Sequence, residues 1–141
     1  MGRSTSNISL SQANQIAEQH MRDARDAIDP NLTLVDPRIE SAGPCYTDDL
    51  HGGTDPERRA VAYSYRLAGV HKQKFSEYFG KLSRWWSQHG FQILQQEKDY
   101  LWAENSDDYF RLSFQTNDLG EAYLNLSSPC VPADKKSDST N

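Results

Sequence analysis

The chain has 141 residues, a mass of 16.1 kDa and a formal charge of -5 at pH 7, which suits one domain of ordinary size and is too short for two independent cores. Acidic side chains outnumber basic ones by 20 to 15, a balance that disfavours a sequence-independent nucleic-acid binder. No apolar run reaches the roughly 18 residues of a membrane-spanning helix. Leu, Ile, Val and Phe make up fewer than one residue in five, close to the composition of disordered chains. Three Trp, seven Tyr and five Phe offset that shortage, because each aromatic ring buries a large area. The core is expected to be small and to need a covalent staple.

Met1 to Ser6 lacks the apolar centre of a signal peptide, and its polar, Ser-rich start is compatible with a trimmed targeting segment. Residues 1–8 and 133–141 are mainly polar and are expected to be disordered, flanking a single α+β domain over 9–132. Ser9 followed by Gln12 resembles a capping box, and Leu10, Ala13, Ala17, Met21, Ala24 and Ile28 then recur on one side of a 3.6-residue helix. The first helix is predicted over 10–28. Asp29-Pro30-Asn31 stops it, since proline disfavours helix in the preceding residue.

Leu32 to Val35 reads as a first strand that Pro37 pushes toward a sheet edge. Residues 40–57 are rich in Gly, Pro and acids and are predicted to form an irregular loop. From Arg59 to Leu67 the chain alternates, with Val61, Tyr63, Tyr65 and Leu67 on one face. Phe75, Tyr78, Phe79, Leu82, Trp85, Trp86 and His89 then define a second helix, with Trp86 mid-stripe and Trp85 at its border. Gly90 follows as a left-handed cap. A meander is predicted next: a strand from Phe91 that continues through a bend or joins the one at Tyr100 to Glu104, then Tyr109 to Thr116, then Ala122 to Ser127. The order α-β-β-α-β-β-β argues for two helices packed on one face of a mainly antiparallel sheet.

Cys45 and Cys130 are the only cysteines, 85 positions apart and each preceded by proline. The pair suits a disulfide, which requires an oxidising compartment. Two unpaired buried thiols, or a Cys nucleophile with His51 as its base, are the other readings. Without a CxxC partner the two make at most half of a structural zinc site, so no metal is expected.

Other candidate groups have bland readings beside their chemical ones. Asp48, Asp49, His51 and Asp55 could gather oxygens for a cation, yet their spacing does not follow a calcium loop. Glu97, Asp99 and Glu104 could supply a carboxylate pair, but acids flanking a strand are mostly surface charges. His20 and His89 lie along helical apolar arcs, where packed or capping roles are usual. Lys72, Lys74, Lys81 and Arg84 face solvent on the second helix. No phosphate-cradling glycine loop or nucleophile elbow occurs, so neither catalysis nor a cofactor is expected. Tyr109, Arg111, Ser113, Gln115, Tyr123 and Asn125 alternate with core positions and form a polar, aromatic outer face. The candidate binding surface is Tyr109, Arg111 and Tyr123, with Trp85 as an exposed aromatic contact.

Three segments, Trp86-Ser87-Gln88-His89-Gly90-Phe91, Asp107-Asp108-Tyr109-Phe110-Arg111-Leu112 and Ser127-Ser128-Pro129-Cys130, are similar to motifs of a group of small actinobacterial secreted proteins and lipoproteins of uncharacterised function. The resemblance covers about residues 9 to 132. It implies export and a Cys45–Cys130 bond, and it carries no catalytic residues. That group is exported behind a lipobox, whose cysteine has no counterpart here, so a membrane association is expected only through a missing lipid anchor. The expected function is non-catalytic binding, outside the cytoplasm, of a protein or an anionic envelope polymer. The alternatives are an immunity-type protein that neutralises a toxin and a small extracellular hydrolase or hydrolase inhibitor.

Overall fold

Ser9 Oγ accepts from the Gln12 amide at 3.0 Å and Gln12 Oε1 accepts from the Ser9 amide at 2.9 Å, so two donors that a helix start leaves unpaired are satisfied reciprocally. Helix α1, Leu10–Ile28, follows and buries Ala13, Ala17, Met21, Ala24 and Ile28. Helix α2, Phe75–Gln88, buries Tyr78, Phe79, Leu82 and Trp86. It ends at Gly90, whose φ of +86° is the left-handed conformation that glycine adopts without steric penalty. The computed structural model describes residues 8–46 and 53–133; the polar ends 1–7 and 134–141, and Asp48, Asp49 and His51 of the acidic group, lie outside the described residues.

Seven strands complete the fold: β1 (Thr33–Tyr46), β2 (Thr54–Ala68), β3 (Phe91–Glu97), β4 (Tyr100–Asn105), β5 (Arg111–Thr116), β6 (Ala122–Ser127) and β7 (Val131–Pro132). They pair antiparallel in the order β1-β2-β6-β5-β4-β3, and β7 pairs with the start of β2. The register aligns Tyr63, Leu126, Leu112, Ala103 and Ile93 in one row across five strands. These side chains join the hydrophobic cluster under the helices. Helix α1 packs on β1, β2 and β6, α2 packs on β3 and β4, and the two helices touch each other. Both helices therefore cover one face of the sheet.

The predicted irregular loop over 40–57 is corrected: residues 40–46 extend β1, and 54–57 begin β2. The composition misleads because β1 is an edge strand. Its register slips between Val35 and Arg38, between Glu40 and Gly43, and between Pro44 and Tyr46, so that one bulge absorbs Pro37, while Gly43 and Pro44 stay paired with Ala60 and Arg59 between the other two slips. The segments at 91–97 and 100–105 are two strands of one hairpin, and β5 starts at Arg111 because Tyr109, at φ +62°, still belongs to the turn.

Cys45 and Cys130 form a disulfide with a Cα–Cα distance of 6.1 Å, and no described cysteine is free. Arg59 of β2 pairs with Pro44 on one side and Val131 on the other. The bond therefore joins the two strands that flank Arg59 and excludes the unpaired-thiol and nucleophile readings.

A polar link fixes α1 to the sheet. The Tyr63 hydroxyl donates to Asn14 Oδ1 at 2.8 Å, and Asn14 Nδ2 donates to the Ser41 carbonyl at 3.1 Å. Burial, followed by the Glu18 carboxylate, pushes the phenols of Tyr63 and Tyr65 above the ordinary value of 10.0. Groups that hold their protons more tightly when folded contribute stability that is complete below the unfolded pKa and is lost as pH rises through the folded one. The urea midpoint is thus expected to fall between pH 9 and about pH 11, and Tyr63→Phe should flatten part of that fall. A midpoint equally steep in Tyr63→Phe would contradict this assignment.

Candidate functional site

The alternation that sends one set of strand residues under the helices sends the other set to the opposite face, over which neither helix lies. The register places Arg38, Ser64, Asn125, Ser113 and Trp102 in one row across β1, β2, β6, β5 and β4. Arg66, Tyr123, Gln115 and Tyr100 form the row beside it. Hydrogen bonds run along the first row: Ser64 Oγ donates to Asn125 Oδ1 at 2.7 Å, and Asn125 Nδ2 donates to Ser113 Oγ at 3.2 Å. The Arg111 guanidinium lies 5.5 Å from the centre of the Trp102 ring, with its Nε 3.1 Å from Glu104 Oε2. That geometry suits a cation–π contact.

Among the depressions that open on this face, two hold predicted binding residues. The larger, of about 730 Å³, is lined by Asp36, Arg38, Arg66, Gln115, Glu121 and Tyr123 among others. Asp36 accepts from Arg66 Nε at 2.7 Å, a bond that pushes the guanidinium pKa up. Partial burial and the Glu121 carboxylate, which also hydrogen-bonds the phenol, push Tyr123 up. The smaller, of about 200 Å³, lies between Tyr109, Arg111, Ser127 and Cys130.

The predicted binding residues thus occupy three places. Tyr109 and Arg111 flank the small depression and Tyr123 lines the large one. Trp85 lies on the other side of the sheet, on α2, half-buried and stacked on the His89 imidazole at 4.0 Å. Trp102 was not among the candidates, although its alternation with the buried Leu101 and Ala103 was the signal that places it on the open face beside Tyr100.

The other candidate groups lie in several places. Glu104 pairs with Gln92, far along the β3–β4 hairpin from Glu97, which pairs with Tyr100, so Glu104 is set apart, whereas Glu97 and Asp99 line one depression beside Asp118. Among the described residues no group of three or more His, Cys, Asp or Glu side chains is placed to hold a metal ion. Lys72 donates to the Asp118 carbonyl and Lys81 meets Glu77 at 3.2 Å, which occupies half of the basic stripe locally. No helix among the described residues is long and apolar enough to cross a membrane.

The three sequence motifs build scaffold. Trp86 stacks near Phe91, His89 Nδ1 lies 2.8 Å from the Trp85 carbonyl, and Gly90 turns the chain into β3. Asp108 does two things: Oδ1 accepts from the Phe110 amide at 3.0 Å, and Oδ2 holds His20 Nε2 of α1 at 2.9 Å. Ser128 bonds Val61 through both its amide and its hydroxyl, each at 2.9 Å, and delivers Cys130 to the crosslink.

No family model and no curated protein matches the chain. Among solved structures the chain is similar to LppA from Mycobacterium tuberculosis, a candidate lipoprotein. The TM-score is 0.51 at 12% identity, over 91% of this chain and 80% of that one. At that identity the likeness is one of fold.

Proposed function

We propose that the chain is a non-catalytic, extracytoplasmic domain that binds a protein or an envelope component through the open face of its sheet. The observation that carries this reading is the display of Trp102, Tyr100, Tyr123 and Arg111 on a face that neither helix covers. Aromatic and Arg side chains are the groups that anchor binding interfaces. The crosslink adds the compartment, since structural disulfides persist where the surroundings are oxidising. A fold shared with a candidate lipoprotein of an actinobacterium agrees with that placement. The separation of Glu104 from Glu97 and its contact with Arg111 take Glu104 out of a carboxylate pair.

A photo-reactive residue in place of Gln115, on the open face, should yield crosslinked adducts in intact cells of the producing organism. The same group in place of Gln88, at the exposed end of α2, should not. Combined Tyr109→Ala, Arg111→Ala and Tyr123→Ala changes should abolish the Gln115 adducts. Adducts that form equally from both positions, or that survive the triple change, would contradict the proposal.

A further inference from the structure

We infer that the larger depression on the open face, between the β1 bulge and Tyr123, takes an uncharged glycan chain. The inference rests on the reading of that face as the working surface.

The depression owes one wall to an irregularity. Between Val35 and Arg38 the register of β1 slips, and Asp36, at φ +50°, and Pro37 line the cavity. Bulges of this kind re-aim side chains, frequently beside functional sites. The rest of the lining is polar and electrically balanced: Arg38 and Arg66 against Asp36 and Glu121. The Asp36–Arg66 contact at 2.7 Å already neutralises one pair. A phosphate- or sulfate-bearing polymer needs a net positive surface, which the lining lacks. The core of a protein interface is depleted in charged groups, which this lining is not.

A sugar chain fits both features. Each hydroxyl donates and accepts, and the exposed amide of Gln115 presents both functions in return, beside an Asn125 amide held in place by Ser64 and Ser113. The apolar face of a sugar ring packs against aromatic rings, and Tyr123 supplies one within the depression. Tyr100 lies in the same row, one strand beyond Gln115. Two strand spacings, about 10 Å, therefore separate the two tyrosines along a line that crosses the sheet from the depression toward Trp102. That is a track for an extended oligosaccharide rather than a pocket for a single ring.

The test titrates the disulfide-bonded full chain with uncharged hexasaccharides of glucose, mannose, galactose and N-acetylglucosamine, and with dextran sulfate as the charged arm. Backbone amide NMR shifts provide the readout. At least one uncharged hexasaccharide should move the Gln115, Tyr123 and Asn125 resonances saturably, with affinity constant within about twofold on raising salt from 0.1 to 1 M. Tyr123→Ala and Gln115→Ala should each weaken binding about tenfold, Tyr123→Phe should retain most of it, and Trp85→Ala on the helical side should leave it unchanged. Three results would overturn the inference: no saturable shift with any uncharged hexasaccharide, binding of dextran sulfate alone with loss at high salt, or full affinity in Tyr123→Ala. Where one of these occurs and the Gln115 photo-adducts still form and still vanish in the triple variant, the face binds something other than a glycan and the broader reading stands. Where the adducts fail as well, both fall.

Discussion

Replacing Cys45 and Cys130 together by serine is expected to lower the unfolding free energy by about 4 to 5 kcal/mol. The bond closes a loop of 85 residues, and the chain-entropy cost of closing a loop rises with the logarithm of its length. Domains of this size are stable by only about 5 to 15 kcal/mol, so the variant loses a large share of its margin. The damage should be greatest where the crosslink acts, at the junction of β1, the start of β2 and the two-residue β7. The helices and the β4–β5–β6 meander draw their stability from the aromatic core. Urea unfolding of the oxidised protein and the double serine variant gives the difference directly; a loss below about 1 kcal/mol would show that the staple is dispensable.

Trp86→Ala is the second large effect, and Trp85→Ala is its control. Trp86 is 1% exposed, with its ring 5.5 Å from Phe91, where removal forfeits both burial and packing, a cost of about 3 to 5 kcal/mol. Trp85, one residue on, is half-buried and stacks on His89, so its loss should cost about 1 kcal/mol or less. Denaturant midpoints of the two variants should differ severalfold in their displacement from the parent. Equal displacements would mean that the helix is rotated relative to the arrangement described.

Helix α1 was legible to its ends, Leu10 and Ile28, because capping chemistry, apolar spacing and a following proline all agree. The α2 stripe and its glycine cap were legible for the same reason. Strands β4, β5 and β6 alternate cleanly, as expected where one face is buried and the other is not. The long β1 was hidden because local composition reports turns, while the edge of a sheet tolerates bulges, Pro37 and Pro44. The placement of β6 between β2 and β5 was likewise out of reach. Alternation identifies a strand and its faces, and the partner is chosen by packing between distant segments. The open face was half legible: Arg111, Gln115, Tyr123 and Asn125 follow from alternation, but the contribution of Asp36 and Arg38 depends on a bulge that no periodicity reports. Tyr109 is aimed by a turn rather than by strand alternation, and Trp85 was separated from the other three only by knowing which face the helices cover.

The most direct check on a domain held by one crosslink and working outside the cytoplasm is the intact mass of the protein from its own cells. The cells are quenched with a thiol-alkylating reagent before lysis, and no reductant is added. The account predicts a single unalkylated species about 2 Da lighter than the reduced chain, which takes up two alkyl groups only after reduction. A chain recovered already carrying two alkyl groups would contradict it, showing Cys45 and Cys130 to be free thiols in the cell and removing the compartment on which the proposed function depends.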